Sequence, residues 1–354
     1  MRDLDDVSVY GQIDLADMRG QIRSLPKQCH TAWHTALEFD LPSNYRDIDK
    51  VVILGMGGSA IGGDLARSLV SKGGKTIICV NRDYDLPSFV DDRTLVIASS
   101  YSGNTEETLS AFTQALNTGC KKLATTTGGT LESMAKEYHV PVFTITHVSP
   151  PRAALGFSFM PLLAFMKKLD LVEDIYFNVE DMIEKLEELN GRLNVNVPTK
   201  KNEAKQLAVD MYGKLVVVYG AEILSAVARR WKTQVNENSK AWAVHETLPE
   251  LNHNSVVGYP FPSDIDSKLY VVMLNAPSLH NRVQIRYKVT TELLEQRGIS
   301  PRIVTGEGDD LLSQMMSALF IGDWASYYLA VLYDIDPTPV KTIDYLKKHL
   351  SEAE

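Results

Sequence analysis

A chain of 354 residues, 44% hydrophobic and 23% charged, has the material for about two soluble domains whose cores need no disulfide staples. A net charge of −9 argues against the basic face that a nucleic-acid partner requires. It does not exclude an anionic small ligand, because backbone dipoles act locally. The three cysteines, Cys29, Cys79 and Cys120, have neither CxxC nor metal-ligand spacing. The first residues are acidic and mixed rather than a leader peptide, and no apolar run approaches the roughly 20 residues of a membrane span. The expectation is a cytoplasmic protein with reduced thiols and no membrane partner.

Residues 15–39 read as helical. Within them His30 and His34 stand at i, i+4, a spacing able to ligate a metal, but no third ligand is close in sequence. Buried parallel-type strands follow at 51–54 (VVIL) and 95–99 (LVIAS), then at 215–219 (LVVVY) and 269–274 (LYVVML). Helical patterns at 105–116, 221–237 and 281–296 follow three of them, which implies βαβ units with right-handed crossovers. The order Lys, apolar strand, Gly, helix at KVVILGMGGSAIGGDLARSLV recurs at KLVVVYGAEILSAVARRWKTQV, 165 residues later from Gly55 to Gly220, and the strand–helix segment at Leu95 recurs 174 residues later at Leu269. The fold expected is α/β: two subdomains of one origin, each a doubly wound parallel sheet in a three-layer αβα arrangement. The expected organisation is a helical segment at 1–45, a first subdomain at 46–190 and a second at 200–354. The polar stretch 191–204 is the join, and a C-terminal helical segment at 337–350 packs across the pair.

The turn at 99–105 (SSYSGNT) lies between a strand and a helix. Ser100, Ser102 and Thr105 offer hydroxyl donors, Gly103 lets a ligand approach the backbone, and Glu106 and Glu107 suit the helix start. Such a turn binds phosphate without a lysine; its plain alternative is helix capping. The second Gly-rich turn, 55–59 (GMGGS), looks like a dinucleotide fingerprint with Asp83 as the ribose acid. Its better use is close backbone approach to a sugar, through Gly57, Gly58 and Ser59. The second half has AEIL and NAPSLHN at these places, so an anion site is expected in the first half only.

The densest polar stretch is 230–258. Glu237 sits in NEN and His253 in NHN, where asparagines could orient a carboxylate or an imidazole. A carboxylate base and a titratable imidazole are what carbon-acid proton transfer and hexose ring opening need. The alternative is a polar interface loop, and Glu246 and Glu250 are rival carboxylates. HETLP lacks the second His of a zincin motif. Arg152 follows two prolines that fix its backbone, so it could stabilise a developing enediolate.

Together the segments ILGMGGSAIGGDLA, SSYSGNTEET, PPRAALG, RWKTQVNENSKA, LPELNHNSVVG, GDWASYYLA and DPTPVKTIDYLK resemble the bifunctional phosphoglucose/phosphomannose isomerase family of the sugar isomerase (SIS) superfamily. They run in family order over nearly the whole chain. The resemblance implies a cofactor-free, metal-free aldose–ketose isomerase acting on glucose 6-phosphate, mannose 6-phosphate and fructose 6-phosphate through a cis-enediolate. It implies phosphate binding by Ser100, Ser102 and Thr105, a sugar site lined by Gly57, Gly58 and Ser59, and proton transfer by Glu237. Arg152 would stabilise the enediolate, and Lys347 would face a substrate oxygen. His253 would open the ring in the partner's site of a homodimer. The family carries a threonine near the C-terminal lysine; the register points near Val340, flanked by Thr338 and Thr342, and leaves open which residue fills that role. Other SIS proteins are glutaminase-fused synthases, for which there is no room, and helix-turn-helix regulators, which the charge disfavours. A non-catalytic sugar-phosphate sensor is the alternative from another class, and such a sensor needs neither Glu237 nor His253.

Overall fold

The structure, a computed structural model, describes residues 2–74, 76–172 and 178–352. Three helices open the chain: α1 (Ser8–Ile13), α2 (Met18–Arg23) and α3 (Leu25–Glu38). The first half continues with β1 (Lys50–Leu54), α4 (Gly57–Val70), β2 (Ile77–Asn81), β3 (Thr94–Ser99), α5 (Glu106–Leu116), β4 (Lys121–Thr126), α6 (Gly129–Glu137) and β5 (Val142–Thr144). After a 3₁₀ turn at Pro151–Ala153 come α7 (Leu155–Lys168), α8 (Val179–Leu193) and α9 (Glu203–Met211). The second half runs β6 (Leu215–Ala221), α10 (Ser225–Ser239), β7 (Ala243–Leu248), β8 (Leu269–Asn275), α11 (Asn281–Glu295), β9 (Arg302–Thr305), α12 (Leu311–Leu332) and α13 (Lys341–Glu352).

The strands form two parallel sheets, ordered β2-β1-β3-β4-β5 and β7-β6-β8-β9. The pairing of β1 with β2 and β3 is repeated by β6 with β7 and β8, which is the equivalence expected from the repeated sequence pattern. Strand side chains alternate between two cores, as the pleat requires. Val52, Leu54, Val96 and Ala98 pack with Phe112 of α5 and Leu131 of α6. Val51, Ile53, Leu95 and Ile97 face the opposite core, with Leu65 of α4 and Phe159 of α7. That opposite core is continuous with the core of the second sheet. Parallel strands buried on both faces account for the unbroken Val/Ile runs. The edge strands β2, β5, β7 and β9 and the inner strand β4 carried weaker signals and are additions to the expected set.

Three expectations change. The C-terminal segment expected to pack across the pair forms α13, which starts at Lys341 and buries none of its residues. The helical stretch at 15–39 is two helices, α2 and α3, meeting at Ser24–Leu25, with Pro26 in the first turn of α3 where its missing N–H costs nothing. Helix α12 is long and apolar enough to span a membrane by length and composition, contrary to the reading that no run approaches that length. Its apolar window is wholly buried, and α8, α9 and α10 pack around it, so it is the central helix of the core.

Inside that core Arg230 of α10 forms a two-pronged pair with Asp323 of α12, at 3.0 and 2.6 Å. Burial pushes the Asp323 carboxyl above its ordinary range and Arg230 pulls it back. Removing the guanidinium would strand a buried carboxylate. Arg230→Met should therefore lower unfolding stability by about 3–5 kcal/mol, read from urea denaturation midpoints. A loss below about 1 kcal/mol would show that the pair is not what joins α10 to α12.

Candidate active site

Adjacent C-terminal ends of β1 and β3 carry the two Gly-rich turns, the usual ligand end of a parallel sheet. Gly103 has φ +69°, and a Cβ there would lie 1.8 Å from the carbonyl oxygen of Gly128, so no other residue fits. Ser100 is buried and shares a 2.8 Å hydroxyl hydrogen bond with Thr105. Ser102 is exposed, and its hydroxyl accepts the Asn104 N–H. The Ser59 hydroxyl accepts the Tyr101 N–H at 3.1 Å and so ties the two turns together. Ser59 thus braces the two turns against each other. Gly57 has φ +48° and open space beside it.

Gly58 lies against the chain at Pro151–Arg152. A Cβ there would be 2.8 Å from the Pro151 carbonyl carbon and 3.0 Å from the Arg152 nitrogen. The Gly-rich turn is thereby pressed directly onto the backbone of Arg152. The side chain of Arg152 is 4% exposed, not a surface arginine. Its Nε donates to Asn238 Oδ1 at 2.7 Å, and its Nη2 donates to the carbonyls of Pro337 and Thr338 at 2.7 and 2.8 Å. Its Nη1 stands 3.5 Å from Glu237 Oε2. Burial pulls the guanidinium below its ordinary value, and Glu237 opposes this. The Arg152 carbonyl accepts from Arg230, and Asn238 donates to Ser326 of α12.

The asparagines act differently from expectation. Asn238 orients Arg152, not the carboxylate, because it lies one position along α10 from Glu237 and faces the core. Asn236 caps a turn by donating to Ala241. Asn252 bonds Thr290 and Arg286 of α11, and Asn254 bonds Glu250, so these two pin the loop rather than the His253 ring. The rival carboxylates, Glu246 on β7 and Glu250 just past it, are engaged by Ser255 and Asn254 of the following loop. Asp83 lies just past β2 and accepts the Tyr84 N–H.

His253 and Lys347 are exposed, and neither side chain has a partner among the described residues. Within one chain the fold thus brings Arg152 and Glu237 together, with the 55–59 turn against the Arg152 backbone, and among the described residues gives neither His253 nor Lys347 a bond to them. Thr338 gives its carbonyl to Arg152, whereas Val340 and Thr342 line a cavity of about 840 Å³ that also reaches Glu237. None of the phosphate-turn residues lines that cavity. The rings of His30 and His34 lie 4.4 Å apart and His34 Nε2 is 3.5 Å from Glu180. Among the described residues no three His, Cys, Asp or Glu side chains form a group that could hold a metal.

Sequence reasoning missed Lys240. It ends α10 in the left-handed conformation, and its ammonium donates to the carbonyls of Glu237, Asn238 and Pro337. Only its place just past the helix end hinted at this.

The family model for the bacterial phospho-glucose isomerase C-terminal SIS domain matches residues 200–350. A bifunctional phosphoglucose/phosphomannose isomerase from Caldicellulosiruptor bescii is 44% identical over 94% of this chain and 98% of its own. One from Aquifex aeolicus is 37% identical over 88% and 94%. Among solved structures, the C-terminal domain of glucosamine-fructose-6-phosphate aminotransferase from Francisella tularensis has a TM-score of 0.70 at 14% identity, covering 91% of this chain and 98% of that one, a likeness of fold alone. With identity at that level over nearly its full length, the chain belongs to the bifunctional phosphoglucose/phosphomannose isomerase family.

Proposed function

We propose that this isomerase interconverts glucose 6-phosphate and mannose 6-phosphate with fructose 6-phosphate through a cis-enediolate. The observation that carries the reading is the Glu237 carboxylate held 3.5 Å from a buried arginine. In this scheme Ser100, Ser102 and Thr105 take the phosphate, and Gly57, Gly58 and Ser59 form the wall of the sugar site. Glu237 removes the proton from C2 of the aldose phosphate and returns it to C1, so the proton count balances. Arg152 stabilises the negative charge that builds on the adjacent oxygens. His253 moves the ring proton on opening, and Lys347 steadies a substrate oxygen. The names of the relatives support both epimers as substrates. Three free thiols, two of them buried, fit a reducing cytoplasm.

The working unit in this proposal is a homodimer in which each protomer lends His253 to the other's site. The support is the exposed apolar surface of the segments on either side of β7. Trp242, just before that strand, is 83% exposed, and Val257 and Phe261, in the segment after it that also holds His253, are 78% and 80% exposed. Exposed apolar side chains flanking an unpaired sheet edge call for a cover. Helix α13 likewise has no buried residue, and its Ile343, Leu346 and Leu350 are exposed.

Three measurements test this reading. In a coupled assay with the three sugar phosphates, Glu237→Gln should keep phosphate binding and lose roughly 10²–10⁴-fold in turnover; near-normal turnover would remove Glu237 from the role of base. Activity should survive exhaustive EDTA treatment, since a base and an electrostatic stabiliser suffice; loss on chelation, restored by one divalent ion, would contradict the scheme. Mixing Glu237→Gln with His253→Ala should return about a quarter of wild-type activity, because about half of the reassorted dimers then hold one intact site. No recovery, with subunit exchange verified by mass, would place both residues in a site made by one chain.

A further inference from the structure

Helices end in the left-handed conformation most cheaply with Gly or Asn, because a Cβ is crowded there. The residue that ends α10 is Lys240, with φ 53°. Its Nζ folds back and donates to the carbonyl oxygens of Glu237 at 2.7 Å, Asn238 at 3.3 Å and Pro337 at 2.8 Å. Pro337 O also accepts from Arg152 Nη2 at 2.7 Å. One carbonyl of the segment leading to α13 is therefore shared by two cations from different parts of the chain. The same ammonium satisfies the last carbonyls of the helix that carries Glu237 and Asn238.

We propose that Lys240 is a positioning residue for the isomerase reaction: by clamping the Pro337 carbonyl to the last turn of α10, it fixes Glu237 relative to Arg152. The inference rests on the assignment of Glu237 as base and Arg152 as stabiliser. Lys240 also fixes the root of α13, which carries Lys347, because the clamped segment 336–338 leads directly into that helix. The groups that face its ammonium are Arg152, Glu237 and Asp336. Lys232 and Lys341 line the cavity beside it. Burial, seconded by the charge of Arg152, pushes the Lys240 ammonium down to about 8, against the pull of Asp336 and Glu237. The clamp is then charged below that pH and loses a proton, and with it a donor, as pH rises through it. A clamp of this kind acts on the proton transfer and leaves the phosphate turn untouched, because that turn is built on β3 and α5.

The test uses Lys240→Gly and Lys240→Arg in the full chain. Glycine relieves the left-handed backbone, so Lys240→Gly should fold and melt no lower than wild type, yet lose about 10²-fold in kcat, the cost of an ångström-scale misplacement. KM for fructose 6-phosphate should stay within about threefold, since phosphate binding is separate. Hydrogen exchange over 336–343 should quicken. Lys240→Arg, charged throughout, should carry the alkaline fall of kcat to higher pH than in wild type. A Lys240→Gly protein with wild-type kcat and unchanged exchange would overturn the proposal, as would a Lys240→Arg profile that follows wild type. If wild type turns over none of the three sugar phosphates, the isomerase reading falls instead, and the exchange measurement alone decides whether Lys240 clamps the segment.

Discussion

A guanidinium almost sealed from water is the constraint around which this molecule is arranged. An arginine buried to the degree of Arg152 costs several kcal/mol unless its donors meet acceptors in fixed directions. Here Nε and Nη2 take one side-chain amide and two backbone carbonyls, which leaves Nη1 directed toward Glu237. The acceptors come from α10 and from the segment before α13, some 80 to 190 positions away in sequence. Satisfying one cation therefore fixes the relative places of three distant stretches of chain.

The same demand explains the layers behind the site. Asn238 accepts from Arg152 while it donates to Ser326, and Arg230 donates to the Arg152 carbonyl while it is paired with Asp323. Both supports end on α12, buried from Leu312 to Leu332, which gives them a rigid base. Gly58 approaches from the other side, where anything larger would push on the Pro151–Arg152 backbone. The arginine thus lies between a turn of the first sheet and helices of the second, and neither half could hold it alone.

The sequence carries this arrangement unevenly. The strands β1, β3, β6 and β8 were legible because burial on both faces writes them as uninterrupted Val/Ile/Leu runs. Edge strands such as β7 (AVHETL) are half polar and read as loop, and β4 (KKLATT) begins with two lysines. Glu237, His253 and Arg152 could be singled out because acid–base chemistry restricts residue type. The supports could not. Nothing local distinguishes an asparagine that orients a carboxylate from one that orients an arginine 86 positions away; the helical phase decides, and only packing against α12 fixes that phase. Lys240 was hidden for the same reason, since a lysine after a helix is ordinary and its left-handed φ is a property of the folded chain. The reading of residues 311–332 failed in a related way: Gln314 and Asp323 break the apolar run in sequence, yet both face the interior.

Burial also sorts the proposed chemistry by what each step demands. An enediolate needs charge stabilisation that is in place before the proton moves, and preorganisation is gained by packing the stabiliser into a rigid interior. Arg152 meets that demand. Ring opening and closing make a different one: the group must reach a pyranose oxygen and return a proton in each cycle, so it cannot be locked into a core. His253 and Lys347 lie on exposed segments, and among the described residues their side chains have no partner. Such side chains acquire a defined place only when another surface covers them. The open β7 edge and the apolar side of α13 are surfaces of that kind. In the proposed scheme, with the stabiliser in the core and the ring-opening group on the rim, association of two chains would complete the site rather than add to it.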